Sequence, residues 1–358
     1  MQRIICLIES LSSGGAERQM TYLASELKKA NYDVEVWTYY PDDFYLPILQ
    51  KNNVPYRYIP KAQRKWQRIS ILRRELKKAK PDIVITYLTT ACIVACIIKA
   101  TGGKFKLIVS ERNTTQKLTL RERIKFFCYR FADYIVPNSY TQGELINNNY
   151  PNLHNKVKVI TNFIDTDRFI PQKKEKTDKH TSIIVVGRVL PQKNPLMLMQ
   201  AIKILQDKGL DPRVTWFGEY KDRQFAQICL NKINELGIEQ SFIFMPPIPN
   251  IAEEYPKYDL FCLPSIFEGF PNVLCEAMSC GLFVVCSNVC DNPNIVVNGE
   301  NGYLFDPMNA KDIACQIEKI ALLFPKQRQQ MGSNNRKRIL EIFSQNAFID
   351  KYISLIEM

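Results

Sequence analysis

Residues 260–281 read LFCLPSIFEGFPNVLCEAMSCG: a strand, a loop and a helix in one run. Leu260–Pro264 is short and apolar, the pattern of a buried strand. Gly269 and Pro271 bar a helix before Asn272, because proline is tolerated only in a first turn. Gly281 is a suitable terminal residue for that helix. Glu268 is then expected in the loop at the carboxyl end of the strand, and Glu276 about one turn inside the helix. The backbone N–H groups of Phe270 to Leu274 are expected to be free beside them.

The same unit repeats in both directions. Ser182–Val186, Arg213–Gly218, Phe242–Met245 and Phe283–Cys286 read as strands, with helices at Leu196–Lys208 and Phe225–Leu236. Upstream, Arg3–Glu9, Asp33–Thr38, Asp82–Tyr87, Lys106–Val109 and Tyr134–Pro137 read as strands, separated by helical patterns such as Ala16–Ala30 and Ile69–Ala79. Strands alternating with helices predict parallel sheets covered on both faces. The charged, apolar-free stretch Gln172–Lys179 reads as a linker. The expectation is an α/β chain of two doubly wound, Rossmann-like domains facing each other across a cleft, with ligands at the carboxyl ends of the strands. The first domain would comprise 1–170 plus a C-terminal helix, 343–358, and the second 180–342.

A chain of 358 residues with 46% apolar composition can build a core in each half. Its start, MQRIICLIES, lacks the apolar run and small-residue site of a secretory leader. The most apolar stretch, Thr89–Ala100, is shorter than the ~20 residues that span a bilayer. A soluble, cytoplasmic chain is expected. Among its eleven cysteines, Cys275, Cys280, Cys286 and Cys290 form no repeated C-x-x-C pair, and the two histidines, His154 and His180, lie far from them. Reduced thiols serving as small apolar residues are expected, and no metal site.

Charge is unevenly placed. Through Asp165 there are 26 Lys and Arg against 14 Asp and Glu, so the whole net charge of +12 lies in the first half. Lys51–Lys80 holds eleven basic residues and one acid, Glu75, interleaved with Tyr56, Tyr58 and Trp66. Lys104–Arg130 holds eight against two. Two such runs with aromatics point to an anionic partner, which on charge alone is either nucleic acid or an acidic membrane surface.

Three elements suit a phosphorylated ligand. Arg188, after Val185-Val186-Gly187, offers a planar fork of donors, and Lys193 offers a compact charge five residues later. Gly187 permits close backbone approach. The helix start at Phe270–Val273 favours an anion. The turn Ser12-Ser13-Gly14-Gly15 before the first helix is neither a dinucleotide fingerprint nor a Walker loop, though Gly15 can bring a backbone N–H to a phosphate.

Gly-Gly-Ala-Glu-Arg at 14–18, Val-Gly-Arg at 186–188 with Lys193, Phe-Gly-Glu at 217–219, and Glu268 spaced eight residues from Glu276 resemble the retaining family-4 glycosyltransferases of the B fold. The resemblance covers essentially the whole chain. It implies transfer of a hexose or N-acetylhexosamine from a nucleotide diphosphate-sugar, most readily a UDP-sugar, without a metal or other cofactor. It assigns Arg188 and Lys193 to the diphosphate, Glu276 to the ribose, and Glu268 to the transferred sugar and its developing oxocarbenium charge. Gly15 would touch phosphate or acceptor, and the base would sit near Phe244–Ile248, including Pro247. Gly187, Phe270, Pro271, Asn272 and Val273 complete the donor contacts. Asn162–Asp165 (NFID) matches the family's hinge motif, with Phe163 for glycine.

There are departures from the family pattern. Many relatives carry histidine near the end of the strand Asp82–Tyr87, where this chain has Thr86 and Tyr87. Retention then fits a same-face attack in which the leaving phosphate takes the acceptor proton. Pro271-Asn272 replaces the common Gly-Leu and resembles enzymes that build surface polysaccharides and lipid-linked oligosaccharides. The acceptor implied is a glycan, free or on a polyprenyl diphosphate. The basic runs Lys51–Lys80 and Lys104–Arg130 would then meet the cytoplasmic membrane peripherally, not nucleic acid. Two other classes carry less of the sequence. A nucleotide-sugar epimerase of the same fold needs a general base and has no use for a basic acceptor face. A non-catalytic nucleic-acid or membrane-binding scaffold has no use for Arg188, Lys193 and Glu276.

Overall fold

A computed structural model describes residues 1–172, 180–323 and 325–358. The linker expected at Gln172–Lys179 therefore lies, except for Gln172, outside the described residues. The chain forms two compact units, Met1–Asn162 with Phe348–Met358, and Phe163–Ala347.

The first unit holds β1 (Arg3–Leu7), β2 (Asp33–Thr38), β3 (Tyr56–Tyr58), β4 (Ile83–Tyr87), β5 (Lys106–Glu111) and β6 (Tyr134–Pro137). They form one parallel sheet in the order β3-β2-β1-β4-β5-β6. The second unit holds β7 (Thr181–Val186), β8 (Pro212–Phe217), β9 (Phe242–Met245), β10 (Leu260–Leu263), β11 (Phe283–Ser287) and β12 (Tyr303–Phe305), ordered β12-β11-β10-β7-β8-β9. Both sheets are thus doubly wound and Rossmann-like, as the alternating pattern implies. The strand edges read from sequence hold within a residue or two, and β2, β6 and β9 coincide with their expected spans.

Burial on both faces explains why these strands are almost wholly apolar. In β7, Ile183 and Val185 pack into one core with Leu198 and Ile202 of the helix Pro195–Asp207. Ile184 packs on the opposite face with Leu274 and Met278 of the helix Asn272–Ser279. Leu260 and Cys262 of β10 join the first core, Phe261 and Leu263 the second. All eleven cysteines are free thiols, eight of them buried.

The unit boundaries differ from those read in the sequence. The first unit ends at Asn162 rather than 170, because Ile164 already pairs with the second unit's own Phe343 and Ser344. For the same reason the terminal helix starts at Gln345, not 343, and Phe343 packs on Phe270 at 5.5 Å between ring centroids. From Phe348 onward the chain belongs to the first unit. There Tyr352 is fully buried and its hydroxyl meets that of Tyr87 at 2.9 Å. No helix among the described residues is long and apolar enough to cross a membrane.

Candidate functional site

In the second sheet the strand order reverses between β7 and β10, which are neighbours although β8 follows β7 in sequence. Loops leaving adjacent strands in opposite directions open a crevice at such a point. The loop after β7 carries Gly187, Arg188 and Lys193, and the loop after β10 carries Glu268.

Lys193 ends a single 3₁₀ turn, Pro191–Lys193, and its Nζ lies 2.5 Å from Glu268 Oε1. The Ser265 hydroxyl donates to the same oxygen at 2.6 Å, and the Glu268 amide donates to the Cys290 sulfur at 3.4 Å. Glu268 is 8% exposed, so its charge is held by these partners rather than by bulk water. Arg188 is exposed and, among the described residues, has no ion-pair partner. The site thus presents one committed cation and one free one.

Two glycines are required here, one by its backbone and one by packing. Gly187 has φ +152°, a conformation that side chains rarely adopt, with the Lys193 side chain in ordinary contact 3.5 Å from where its Cβ would be. A Cβ on Gly218 would stand 1.9 Å from the Gly187 carbonyl oxygen, which also accepts from Trp216 Nε1 at 2.7 Å. The Phe217-Gly218-Glu219 motif therefore lets the end of β8 close against the loop after β7.

Glu276, 7% exposed, lies within the helix Asn272–Ser279 as expected. The buried Tyr255 hydroxyl donates to its Oε2 at 3.4 Å. Burial, then the nearby Glu276 charge, pushes the Tyr255 phenol well above its ordinary range, so it stays protonated as a donor. Phe270 and Pro271 are buried, Asn272 and Val273 partly so, and Pro247 is exposed on the loop after β9. The expectation of five free amides at this helix start needs correcting. Pro271 has none to offer, Asn272 donates to the Phe270 carbonyl and Leu274 to that of Pro271. The turn before the helix thus takes up two of the four amides in this stretch. Gly15 belongs to the first unit, at the start of the helix Gly15–Lys29, with open space beside its Cα.

Sequence reasoning did not single out Asn194, Gln192, Ser265 or Tyr255. Asn194, at φ +60°, donates to the Pro264 and Pro307 carbonyls (3.1 and 2.7 Å) and so ties the Lys193 loop to the ends of β10 and β12. Gln192 donates to the Phe267 carbonyl at 2.9 Å. Asparagine before proline at a helix start was the one legible signal. The Asn194 and Gln192 contacts span 70 or more residues and the Tyr255–Glu276 contact spans 21, while Ser265 lies only three residues from Glu268.

The basic runs are not uniformly exposed. Arg68 is buried, stacked 4.2 Å over Tyr39 and bonded to the Ala62 carbonyl, while Arg57 pairs with Glu75 at 2.5 Å. Tyr56 and Tyr58 form β3. Lys125 is 1% exposed between Glu111 (2.9 Å) and Glu122. No group of three or more His, Cys, Asp or Glu with the arrangement of a metal site occurs among the described residues.

Comparison with known proteins converges on one family. Residues 13–168 match the family described as Glycosyltransferase Family 4, and residues 166–338 match Glycosyl transferases group 1. An α-1,4-N-acetyl-D-galactosaminyltransferase of Campylobacter jejuni, named for a diNAcBac-PP-undecaprenol-linked substrate, is 27% identical over 95% of this chain and 92% of its own. The UDP-Gal:alpha-D-GlcNAc-diphosphoundecaprenol alpha-1,3-galactosyltransferase of Escherichia coli is 26% identical over 80% of this chain and 78% of its own. In fold, the chain superposes on the Anabaena protein HepE in complex with UDP with a TM-score of 0.85 at 18% identity, covering 99% and 100% of the two chains. The two family matches run end to end across the two Rossmann-like units, and this chain belongs to the family-4 glycosyltransferases, its second half a group-1 glycosyltransferase domain.

Proposed function

We propose that the chain transfers a hexose or N-acetylhexosamine from a UDP-sugar to a glycan acceptor, free or carried on a polyprenyl diphosphate, with retention and without a metal ion. The observation that carries this reading is the Lys193–Glu268 pair at the strand-order reversal, with Arg188 exposed on the same loop and without an ion-pair partner among the described residues.

Arg188 and Lys193 take the donor diphosphate and neutralise the charge that grows on it as the glycosidic bond breaks. The diphosphate replaces Glu268 as partner of Lys193, which frees the Glu268 carboxylate for the sugar hydroxyls and the developing oxocarbenium ion. Glu276, oriented by Tyr255, accepts from the ribose hydroxyls. Gly187 and Phe270–Val273 line the phosphates and sugar, Pro247 lies against the base, and Gly15 serves phosphate or acceptor. A Glu268 that keeps the hydrogen bond from Ser265 after Lys193 has turned to the diphosphate supports electrostatic stabilisation better than attack on the anomeric carbon. The acceptor then enters on the leaving-group face, and the departing phosphate takes its proton.

The relatives' printed names favour a UDP donor and a diphosphoundecaprenol-linked acceptor. A first half that carries the entire +12 charge suits such an acceptor and peripheral contact with the cytoplasmic membrane through Lys51–Lys80 and Lys104–Arg130.

Thermal unfolding with UDP, GDP and ADP, each in EDTA, tests the donor side without an acceptor. A ligand at about 100 times its Kd stabilises by about 2.7 kcal/mol, roughly 5–10 °C here. A shift with UDP that Glu276→Ala abolishes is expected. No shift with any nucleotide would refute the reading.

A further inference from the structure

The helix Leu120–Tyr129 has two apolar faces, and the fold covers one of them. Phe126 and Tyr129 pack inward, Lys125 is fastened to Glu111, and Thr119 caps the first turn by accepting from the Glu122 amide. On the other side Leu120, Ile124 and Phe127 stand at i, i+4 and i+7, one continuous stripe. They are 74%, 53% and 57% exposed. Single apolar residues on a surface need no explanation, whereas a row along one helix marks a site of contact.

Arginines border that stripe on both sides, Arg121 on one and Arg123 and Arg130 on the other. Among the described residues none of the three pairs with a carboxylate. Arg130 lies 4.0 Å over the Phe127 ring and 4.6 Å over Phe131, which holds its guanidinium level with the stripe. Next to it is a hollow of about 460 Å³ walled by Arg123, Phe126, Phe127, Arg130, Tyr150 and Asn152. Two guanidinium forks with a side-chain amide above an aromatic wall match a phosphate oxyanion rather than a neutral ligand.

We propose that this helix is the part of the first unit that enters an anionic bilayer, its stripe among the acyl chains and the phosphate of one lipid headgroup in the hollow. The inference rests on the membrane reading above and narrows it from two basic runs to one face. Lys51–Lys80 supplies long-range attraction only, since Arg68 is buried and its one large exposed apolar side chain is Trp66. Nucleic acid fits less well. Two of the three stripe residues are aliphatic and Arg130 already covers one face of the third, so the stripe offers no row of aromatic platforms on which successive bases could stack.

The full chain supplies its own test. Trp37 and Trp216 are buried and Trp66 is exposed, so Trp66→Phe combined with Phe127→Trp makes the stripe the fluorescent face. Flotation with phosphatidylcholine vesicles, with and without phosphatidylglycerol, should show binding only to the anionic ones. Brominated phosphatidylglycerol should quench the introduced indole. Leu120→Ser, Ile124→Ser and Phe127→Ser together should lower partitioning by at least about tenfold. Arg123→Gln and Arg130→Gln should each lower it about fivefold, with far-UV circular dichroism unchanged in every variant. Wild type that stays in solution with anionic vesicles would overturn the membrane reading and this inference together. Wild type that floats while the triple serine variant floats equally, with no quenching, would overturn this inference alone. Binding of a single-stranded oligonucleotide that depends on the same three residues would also overturn it, by assigning the stripe to nucleic acid.

Discussion

Lys193 and Glu268, 75 residues apart in sequence, are joined at 2.5 Å where the second sheet reverses its strand order. In the function proposed above, the pair keeps a cation at the crevice and releases its carboxylate when the donor diphosphate takes its place. It makes the two side chains separable by experiment.

Lys193→Ala should lower kcat about 100-fold or more, the scale of losing one electrostatic donor to the developing charge. Glu268→Gln keeps the Ser265 contact but frees Lys193, so UDP should bind as tightly as in wild type or more so, while kcat falls. Calorimetry with UDP beside steady-state kinetics separates the two. A weaker UDP affinity in Glu268→Gln would show that the pair does not compete with the diphosphate.

Gly218→Ala places a Cβ against the Gly187 backbone and should destabilise the fold by about 1–3 kcal/mol in urea titration. Gly15→Ala meets nothing within 4 Å in a helix first turn, so stability should hold or rise slightly. A fall in kcat/KM in that variant would then report a ligand against Gly15. Unchanged kinetics would remove Gly15 from the site.

Tyr255→Phe deletes only the hydroxyl that orients Glu276. UDP affinity should drop about threefold to tenfold, the worth of one hydrogen bond, with Tm nearly constant. Asn194→Ala removes both ties from the Lys193 loop and should cost about 1–3 kcal/mol. Asn194→Gly, which suits the left-handed backbone at φ +60°, should be no better if the side-chain bonds matter more than the backbone strain.

Glu75 anchors the basic helix Arg68–Ala79. Burial pushes its carboxyl up, but hydrogen bonds from Arg57 and Arg74 and the charge of Lys78 outweigh that and hold it below its ordinary 4.5. A depressed folded-state value stabilises above about 4.5, and the benefit fades as pH falls through the folded value. Glu75→Gln should thus be less stable than wild type at pH 7, and the gap should close in acid. A gap independent of pH would point to lost packing instead.

Ellman's reagent in native buffer should find Cys315 at once and Cys128 and Cys290 more slowly, since these three are the cysteines not buried. Burial pushes the Cys6, Cys92 and Cys280 thiols up to about 12, so they should react only on unfolding, when all eleven titrate. Rapid native reaction of more than three would mean a looser core.

Legibility followed element length. The apolar strands and the helices between them were readable because each repeats its pattern over several residues. β3 and β12 have three residues each, too few for any period, and β3 lay inside a run read for its charge and aromatics, Tyr56 and Tyr58 among them, rather than as a strand. Site residues were legible where type and local spacing carry the chemistry, as with Arg188, Lys193, Glu268 and Glu276. Tyr255 gave no such signal and Asn194 only its place before a proline, because their partners lie 21, 70 and 113 residues away in other elements.

By itself the sequence determined the two parallel sheets, the confinement of positive charge to the first half, and the spacing of two glutamates about a helix start. These depend on periodicity, composition and backbone stereochemistry, which are local. Tertiary structure alone decided that Lys193 faces Glu268, that Arg68 and Lys125 turn inward while Arg123 and Arg130 do not, and that the stripe Leu120–Ile124–Phe127 stays uncovered. A side chain's charge is written in the chain, but what surrounds it depends on which distant strands and helices pack beside it.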